Sequence, residues 1–276
     1  MLYFVATPIG NLEDLSARAL RVLREVNAIG AEDTRHTLKL LTHFAIHTPL
    51  FSFHQHNERQ RTEEIVRRLG TGEQLAIVSD AGMPLISDAG QWLAARLHAE
   101  QLPYTCIPGP SAVETALVLS GFATENYQFL GFVPRENKLR AALFAQLAGA
   151  GQTSILFESP QRVCAFLHEA AAHLPQRLFA VVREISKVHE EARRGTPAEL
   201  LAHFSAQEPR GECVLVCAAA PVTDAANDGV RIADPAAAVR TVEQLGNVSR
   251  TTAVKIVAAL TGVARNQLYA ETLPHD

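Results

Sequence analysis

Three short stretches hold the residues best able to do chemistry: Thr7-Pro8-Ile9-Gly10-Asn11, Ser79-Asp80-Ala81-Gly82-Met83-Pro84 and Pro108-Gly109-Pro110-Ser111-Ala112. Each follows a short apolar run and leads into a helical pattern. Such stretches read as loops beyond the carboxyl ends of buried parallel strands, where ligands bind in open α/β sheets. Glycine lets the backbone come close to a ligand, and the Asp80 carboxylate can accept hydrogen bonds from a hydroxyl or an amine. A tight turn whose aspartate bonds its own backbone has the same composition. The loops hold no lysine or arginine for a triphosphate; a nucleoside-type metabolite with an amine, a carboxylate and a ribose suits them better. Ionisable groups are dense in two further places, Glu32-Asp33-Thr34-Arg35-His36 and Lys187-Val188-His189-Glu190.

Other chemistries are excluded by missing patterns. A Gly-x-Gly-x-x-Gly fingerprint is absent after the first strand, and neither a Walker A loop nor a Gly-x-Ser-x-Gly elbow occurs. His168 and His173 stand five apart, so they face different sides of a helix and do not form a zinc-protease pair. His54 and His56 alternate on an extended segment and could both line a site, but no metal is expected.

A sheet must hold these loops. Strands are expected at 2–6, 28–31, 50–54, 75–78 and 104–107, with helices between them, the last running from 112 to 119; after the central loop a helical pattern begins near Asp88, with the helix over Gln91 to Glu100. Strand and helix alternate again beyond 120: strands at 128–132, 154–157, 178–183 and 212–218, helices at 139–147, 161–173 and 197–204. The expected fold class is α/β, with one α/β domain over 1–120 and a second over 121–220. Residues 221–234 lack periodicity and read as a linker. Three short helical patterns fill 235–276, with Ser249 placed to cap the second.

With 276 residues the chain can bury two ordinary cores, and its net charge of -4 argues against a protein that coats nucleic acid without excluding a local RNA patch. Cys106, Cys164, Cys213 and Cys217 all lie in apolar stretches without a Cys-x-x-Cys pair, so buried reduced thiols and a cytoplasmic location are expected. No stretch is long and apolar enough to suggest a membrane span.

Six ordered motifs add a family likeness: Ala6-Thr-Pro-Ile-Gly-Asn-Leu12, Ala31-Glu-Asp-Thr-Arg-His36, Val78-Ser-Asp-Ala-Gly-Met-Pro-Leu-Ile-Ser-Asp88, Pro108-Gly-Pro-Ser-Ala112, Phe157-Glu-Ser-Pro160, and Lys187-Val-His-Glu-Glu191 with Arg194-Gly-Thr196. Together they resemble the bacterial 16S ribosomal RNA cytidine 2'-O-ribose methyltransferases, within the tetrapyrrole-methylase superfamily of S-adenosylmethionine (SAM) enzymes. The resemblance implies two α/β domains of tetrapyrrole-methylase type with the cofactor cleft between them, a small helical module, and a homodimer. Carried over loop by loop, Pro8, Ile9, Gly10, Asp80, Met83, Ser111 and Ala112 would surround SAM, and Phe157 would close over it. Members more often have threonine at position 83 and proline at 89, so a side-chain contact at Met83 is open to question.

Methyl transfer to a ribose hydroxyl needs alignment first, then a base or a cation for the developing alkoxide. Asp33 is the expected base or substrate anchor, Lys187 the expected cation, and Glu190 a third catalytic candidate. For each, the competing reading is a group that merely fixes a loop. Contacts to 16S ribosomal RNA in the small subunit are expected from Arg35, Arg59, Arg61, Arg135, Lys138, Arg140, Arg193, Arg194, Arg250, Lys255 and Arg265, with Phe53, His54 and His56 on a splayed base. Two rival readings are a methylase of a tetrapyrrole precursor or other small molecule, and a non-catalytic ribosome-assembly factor.

Overall fold

A computed structural model describes residues 1–221 and 234–272. The expected linker, apart from 221 and 234, and the chain end at 273–276 lie outside the described residues. The chain divides into two compact units, 1–219 and 220–276.

The first unit holds two sheets. Strands β1 (Leu2–Val5), β2 (Ala28–Ala31), β3 (Leu50–Ser52), β4 (Leu75–Val78) and β5 (Tyr104–Ile107) pair in the order β3-β2-β4-β1-β5, all parallel. Helices α1 (Ala17–Glu25), α2 (Thr34–His43), α3 (Glu58–Gly70), α4 (Gln91–Ala99) and α5 (Ala112–Ser120) follow the strands in turn. Side chains alternate along a strand, so continuous apolar runs such as Leu-Ala-Ile-Val feed two cores. Ala76 and Val78 pack with Val22, Leu23 and Leu41 on one face, while Leu75 and Ile77 pack with Ile65, Leu69, Leu93 and Leu97 on the other. Each such leucine or isoleucine contributes ~1.5–3 kcal/mol by leaving water. Helix α4 starts at Gln91, where the expected helix begins; the residues from Asp88 to Gly90 stay outside it, since Leu85 and Ser87 take positive φ (71° and 69°) and Gly90 stands at φ 126°.

The second sheet is mixed. Strands β6 (Tyr127–Phe132), β7 (Thr153–Glu158), β8 (Phe179–Arg183), β9 (Glu191–Gly195) and β10 (Cys213–Cys217) run in the order β6-β7-β10-β8-β9, with only β6 and β7 parallel. Helices α6 (Asn137–Gly149), α7 (Pro160–His173) and α8 (Pro197–Ala206) cover one face. The other face packs on α5: Val113, Ala116 and Leu117 meet Ile155, Ala180, Val182, Val214 and Val216, and Ile9 and Ile185 join that cluster. The helix that follows the last strand of the first sheet thus covers the second, and Ile9 of the first strand-end loop enters the core beneath it.

β9 escapes the sequence reading because Glu-Ala-Arg-Arg-Gly has no apolar alternation; it is a charged edge strand. Cys213 and Cys217 are buried, and burial pushes both thiols up to about 12, but Cys106 is exposed, contrary to expectation. The second unit packs α9 (Pro235–Gly246), α10 (Arg250–Thr261) and α11 (Arg265–Thr272) around Val239, Ala253, Val254, Val257 and Leu268. Ser249 caps α10 as expected, accepting a hydrogen bond from Thr252 N.

Candidate functional site

Because β4, β1 and β5 are neighbours, the loops after them meet at one rim. Thr7 and Gly82 exchange two backbone hydrogen bonds of 3.0 Å, the Thr7 hydroxyl donates to Ser79 O at 3.1 Å, and the Ser79 hydroxyl donates to Gly82 O at 2.9 Å. Gly82 stands at φ 83°, and a Cβ there would lie 3.2 Å from Ile9 Cγ2 and 3.6 Å from Pro110 O. The three bends therefore pack against one another at Gly82. Gly10 joins them to the second sheet: a Cβ there would come within 2.5 Å of Ile185 O and 2.6 Å of Lys187 Cγ.

Three hollows open around this junction. One of about 320 Å³ is lined by Ile9, Ala112, Phe132, Phe157, Ile185 and Val214, with Glu158 and Glu212 among its polar groups. A more open one of about 670 Å³ is lined by Ile9, Met83, Gly109, Pro110, Ser111, Glu114 and Ser186. Ile9 and Ile185 border both. A smaller one, about 160 Å³, takes Pro8 and Asp80 together with Thr7, Thr37 and Lys39. The expected cofactor residues thus gather at one junction, but Pro8 and Asp80 face a different hollow from Ile9, Met83, Ser111, Ala112 and Phe157. Phe157 makes edge contacts with Phe129 (4.8 Å between centroids) and Phe132 (5.4 Å), a row of rings along the first hollow.

The three expected catalytic groups are already engaged. Asp33 caps α2 and holds Arg35 through both oxygens, Nε to Oδ1 at 3.1 Å and Nη2 to Oδ2 at 2.9 Å. Its hydrogen bonds from the Arg35 side chain and backbone hold its carboxyl down to about 2, too weak a base to take a proton from a hydroxyl near neutrality. Arg35 is spent in the same pair. Glu190 accepts the backbone N–H of Ser186 at 2.7 Å, fixing a turn in which Glu184 and Ser186 have positive φ. Lys187 reaches Glu184 at 2.9 Å and Glu212 at 3.2 Å. Burial draws its ammonium down, but the two carboxylates outweigh this and the net shift is upward. It is a compensated cation, held by Glu212 of the first hollow's wall, rather than a free one.

The RNA-contact candidates divide in the same way. Phe53 is 2% exposed and cannot stack on a base. His54 Nε2 lies 3.3 Å from Asn57 Nδ2, and its ring meets that of exposed His56 at 5.9 Å. Arg140 is bound to Glu169 and to backbone oxygens, whereas Arg135 and Lys138 beside it are exposed. Arg250 bonds Glu243 and the carbonyl of Thr272, a staple between the tail helices; Lys255 is exposed.

Two acids on the rim were not singled out from sequence. Burial, then Glu32 and Asp80, pushes the Asp88 carboxyl up to about 6. Burial also raises Glu158, whose Oε2 lies 3.3 Å from Arg162 without a hydrogen bond. Asp88 closes the third motif and Glu158 sits inside Phe-Glu-Ser-Pro, so the motifs contained them. Ile185 and Glu212 carry no sequence signal, since only the chain reversals before β9 and β10 bring them to the junction. Among the described residues, no group of three or more His, Cys, Asp or Glu could hold a metal ion.

Comparison with known proteins places this geometry. Residues 1–201 match the tetrapyrrole (corrin/porphyrin) methylase family. A protein of Synechocystis sp. named ribosomal RNA small subunit methyltransferase I is 41% identical over 275 residues, 99% of this chain and 97% of the relative. One of the same name from Thermotoga maritima is 42% identical over 215 residues, 78% of this chain and 96% of the relative. Among solved structures, diphthine synthase (TM-score 0.61, 15% identity, covering 79% of this chain and 89% of that one) and uroporphyrin-III C-methyltransferase from Thermus thermophilus (TM-score 0.56, 17%, 79% and 93%) share the fold. The chain is accordingly a tetrapyrrole-methylase-type methyltransferase, and it belongs with the ribosomal RNA small subunit methyltransferase I proteins.

Proposed function

We propose that this protein methylates 16S ribosomal RNA of the small subunit at the ribose 2'-oxygen of a cytidine, with SAM as methyl donor. The observation that carries the reading is the junction of the three strand-end loops at Gly82, walled by β7 and β10 of the second sheet. The residues fit the donor: Ile9, Ala112, Phe157 and Val214 offer an apolar slot for an adenine, and Ser111, Glu114 and the 109–110 backbone offer polar partners to an amino acid group. When bound, SAM supplies a methyl group activated by its positive sulfur.

The chain's part is alignment and electrostatics. Holding the ribose oxygen about 3 Å from the methyl carbon, in line with the bond to be broken, is the main source of rate. The paired loops at Thr7 and Gly82 make that geometry rigid. Lys187, its stem against Gly10 and its ammonium held by Glu184 and Glu212, is the cation proposed to steady the reacting oxygen. Asp88, its carboxyl raised by burial and by Glu32 and Asp80, is the proposed proton acceptor on the rim, rather than Asp33. Exposed Arg135, Lys138 and Lys255 serve phosphate contacts. The enzyme acts in the cytoplasm as a homodimer.

The test is incubation with methyl-labelled SAM and small ribosomal subunits lacking the modification, followed by mapping of ribose methylation. Label on one cytidine ribose is expected; label on a base, or none at saturating SAM, overturns the reading.

A further inference from the structure

Beyond the junction, the same rim carries a further pocket, about 490 Å³, lined by Gln55, His56, Glu58, Arg59, Gln91 and Trp92. It lies where α3 follows β3 and α4 follows β4, so it opens at the carboxyl ends of the strands, as the three loops do. Trp92, the sole tryptophan of the chain, is 47% exposed, an unusual position for so large a ring. Its backbone is fixed: Glu58 Oε1 accepts the N–H groups of Gly90, Trp92 and Leu93 at 3.0, 2.9 and 3.3 Å. That contact spends the one acidic side chain of the pocket on the start of α4. Arg59 lies over the indole at 5.2 Å from the ring centre. Neighbouring Arg61, Arg68 and Arg96 all pair with glutamates, but no ion pair among the described residues takes up Arg59.

An anchored ring, a guanidinium over one of its faces and outside any ion pair among the described residues, an imidazole and two amides form a platform for an unstacked base. The ring offers its other face, the guanidinium meets a phosphate, and the amides reach a base edge. His56 links this platform to the junction, since its ring touches that of His54, which in turn acts on Glu32 beside Asp80. We infer that Trp92 and Arg59 form a single-strand RNA subsite that stacks a nucleotide flanking the one being methylated. The inference rests on the reading of the protein as an RNA methyltransferase.

The lone tryptophan makes the test direct. Titration of the full-length protein with a single-stranded oligocytidylate should quench its emission saturably. Trp92→Ala should weaken oligonucleotide binding by ~5–100-fold, the range of one lost base stack, whereas Trp92→Tyr stays within about threefold of wild type. SAM binding by both variants should be unchanged, and Trp92→Ala should raise KM for small subunits more than it lowers kcat. Unquenched emission at saturating oligonucleotide overturns the subsite, as does full binding by Trp92→Ala. So does a change in oligomeric state in Trp92→Ala, which would mean that a second copy covers the ring. Wild-type methylation of small subunits, measured in parallel, separates failure of the subsite from failure of the enzyme reading.

Discussion

At the scale of single residues, an ionisable side chain with both oxygens committed is a fastener. Asp33 is the case in point: holding Arg35 and the first turn of α2, it has nothing left to offer a substrate hydroxyl. Asp33→Asn should therefore keep kcat within about threefold and leave the pH–rate profile in place, whereas loss of a working general base removes ~10²–10⁴-fold. Gly10 should be far less tolerant. Its missing Cβ is the space into which Ile185 O and the Lys187 stem fit, so Gly10→Ala must push the first loop away from the second sheet. A weakening of SAM binding by ~10-fold or more, about 1.4 kcal/mol, is expected by calorimetry. The loops themselves were legible because glycine and proline at strand ends have a conformational meaning. Which of their neighbours were free to react was not legible, since pairing such as that of Lys187 with Glu212 depends on residues 25 apart in sequence.

At the scale of elements, the segment between β4 and α4 combines an unusual backbone with a crowded carboxylate. Leu85, Ser87 and Gly90 have positive φ, and Asp88 is set among carboxylates where it resists ionisation. Its folded pKa of about 6 exceeds the ordinary 3.8, so the folded chain holds this proton more tightly than the unfolded one. The associated stability is full below about pH 4 and is lost as pH rises through about 6. Asp88→Asn should thus stabilise the protein by ~1–3 kcal/mol at pH 8 and by nothing at pH 4, as urea denaturation at the two values would read. Equal effects at both would mean that packing, not charge, governs the site. The alternation of strand and helix in the first sheet followed directly from apolar runs. In the second sheet the same reasoning found four strands and missed β9, because an edge strand exposes its charges to water and needs no buried face.

At the scale of the whole molecule, both sheets and the junction lie in the unit 1–219, while the tail helices close around a core of their own. The Thermotoga maritima relative is spanned to 96% of its length by an alignment of only 215 residues, too short to include both that unit and a three-helix tail. A protein of the same name therefore does without a counterpart to most of 220–276. The exposed Lys255 and Arg265 suit contact with a phosphate backbone, where each neutralised phosphate adds affinity that salt removes. A chain ending at residue 221 should bind SAM within about twofold of the full protein, because the hollows proposed to hold the donor lie within the first unit. It should still methylate small subunits, with KM raised ~10-fold or less and a shallower dependence on salt. Titration calorimetry and methyl transfer between 50 and 200 mM salt would measure both. Intact SAM binding with no methyl transfer at any subunit concentration would instead make the tail part of the catalytic machinery.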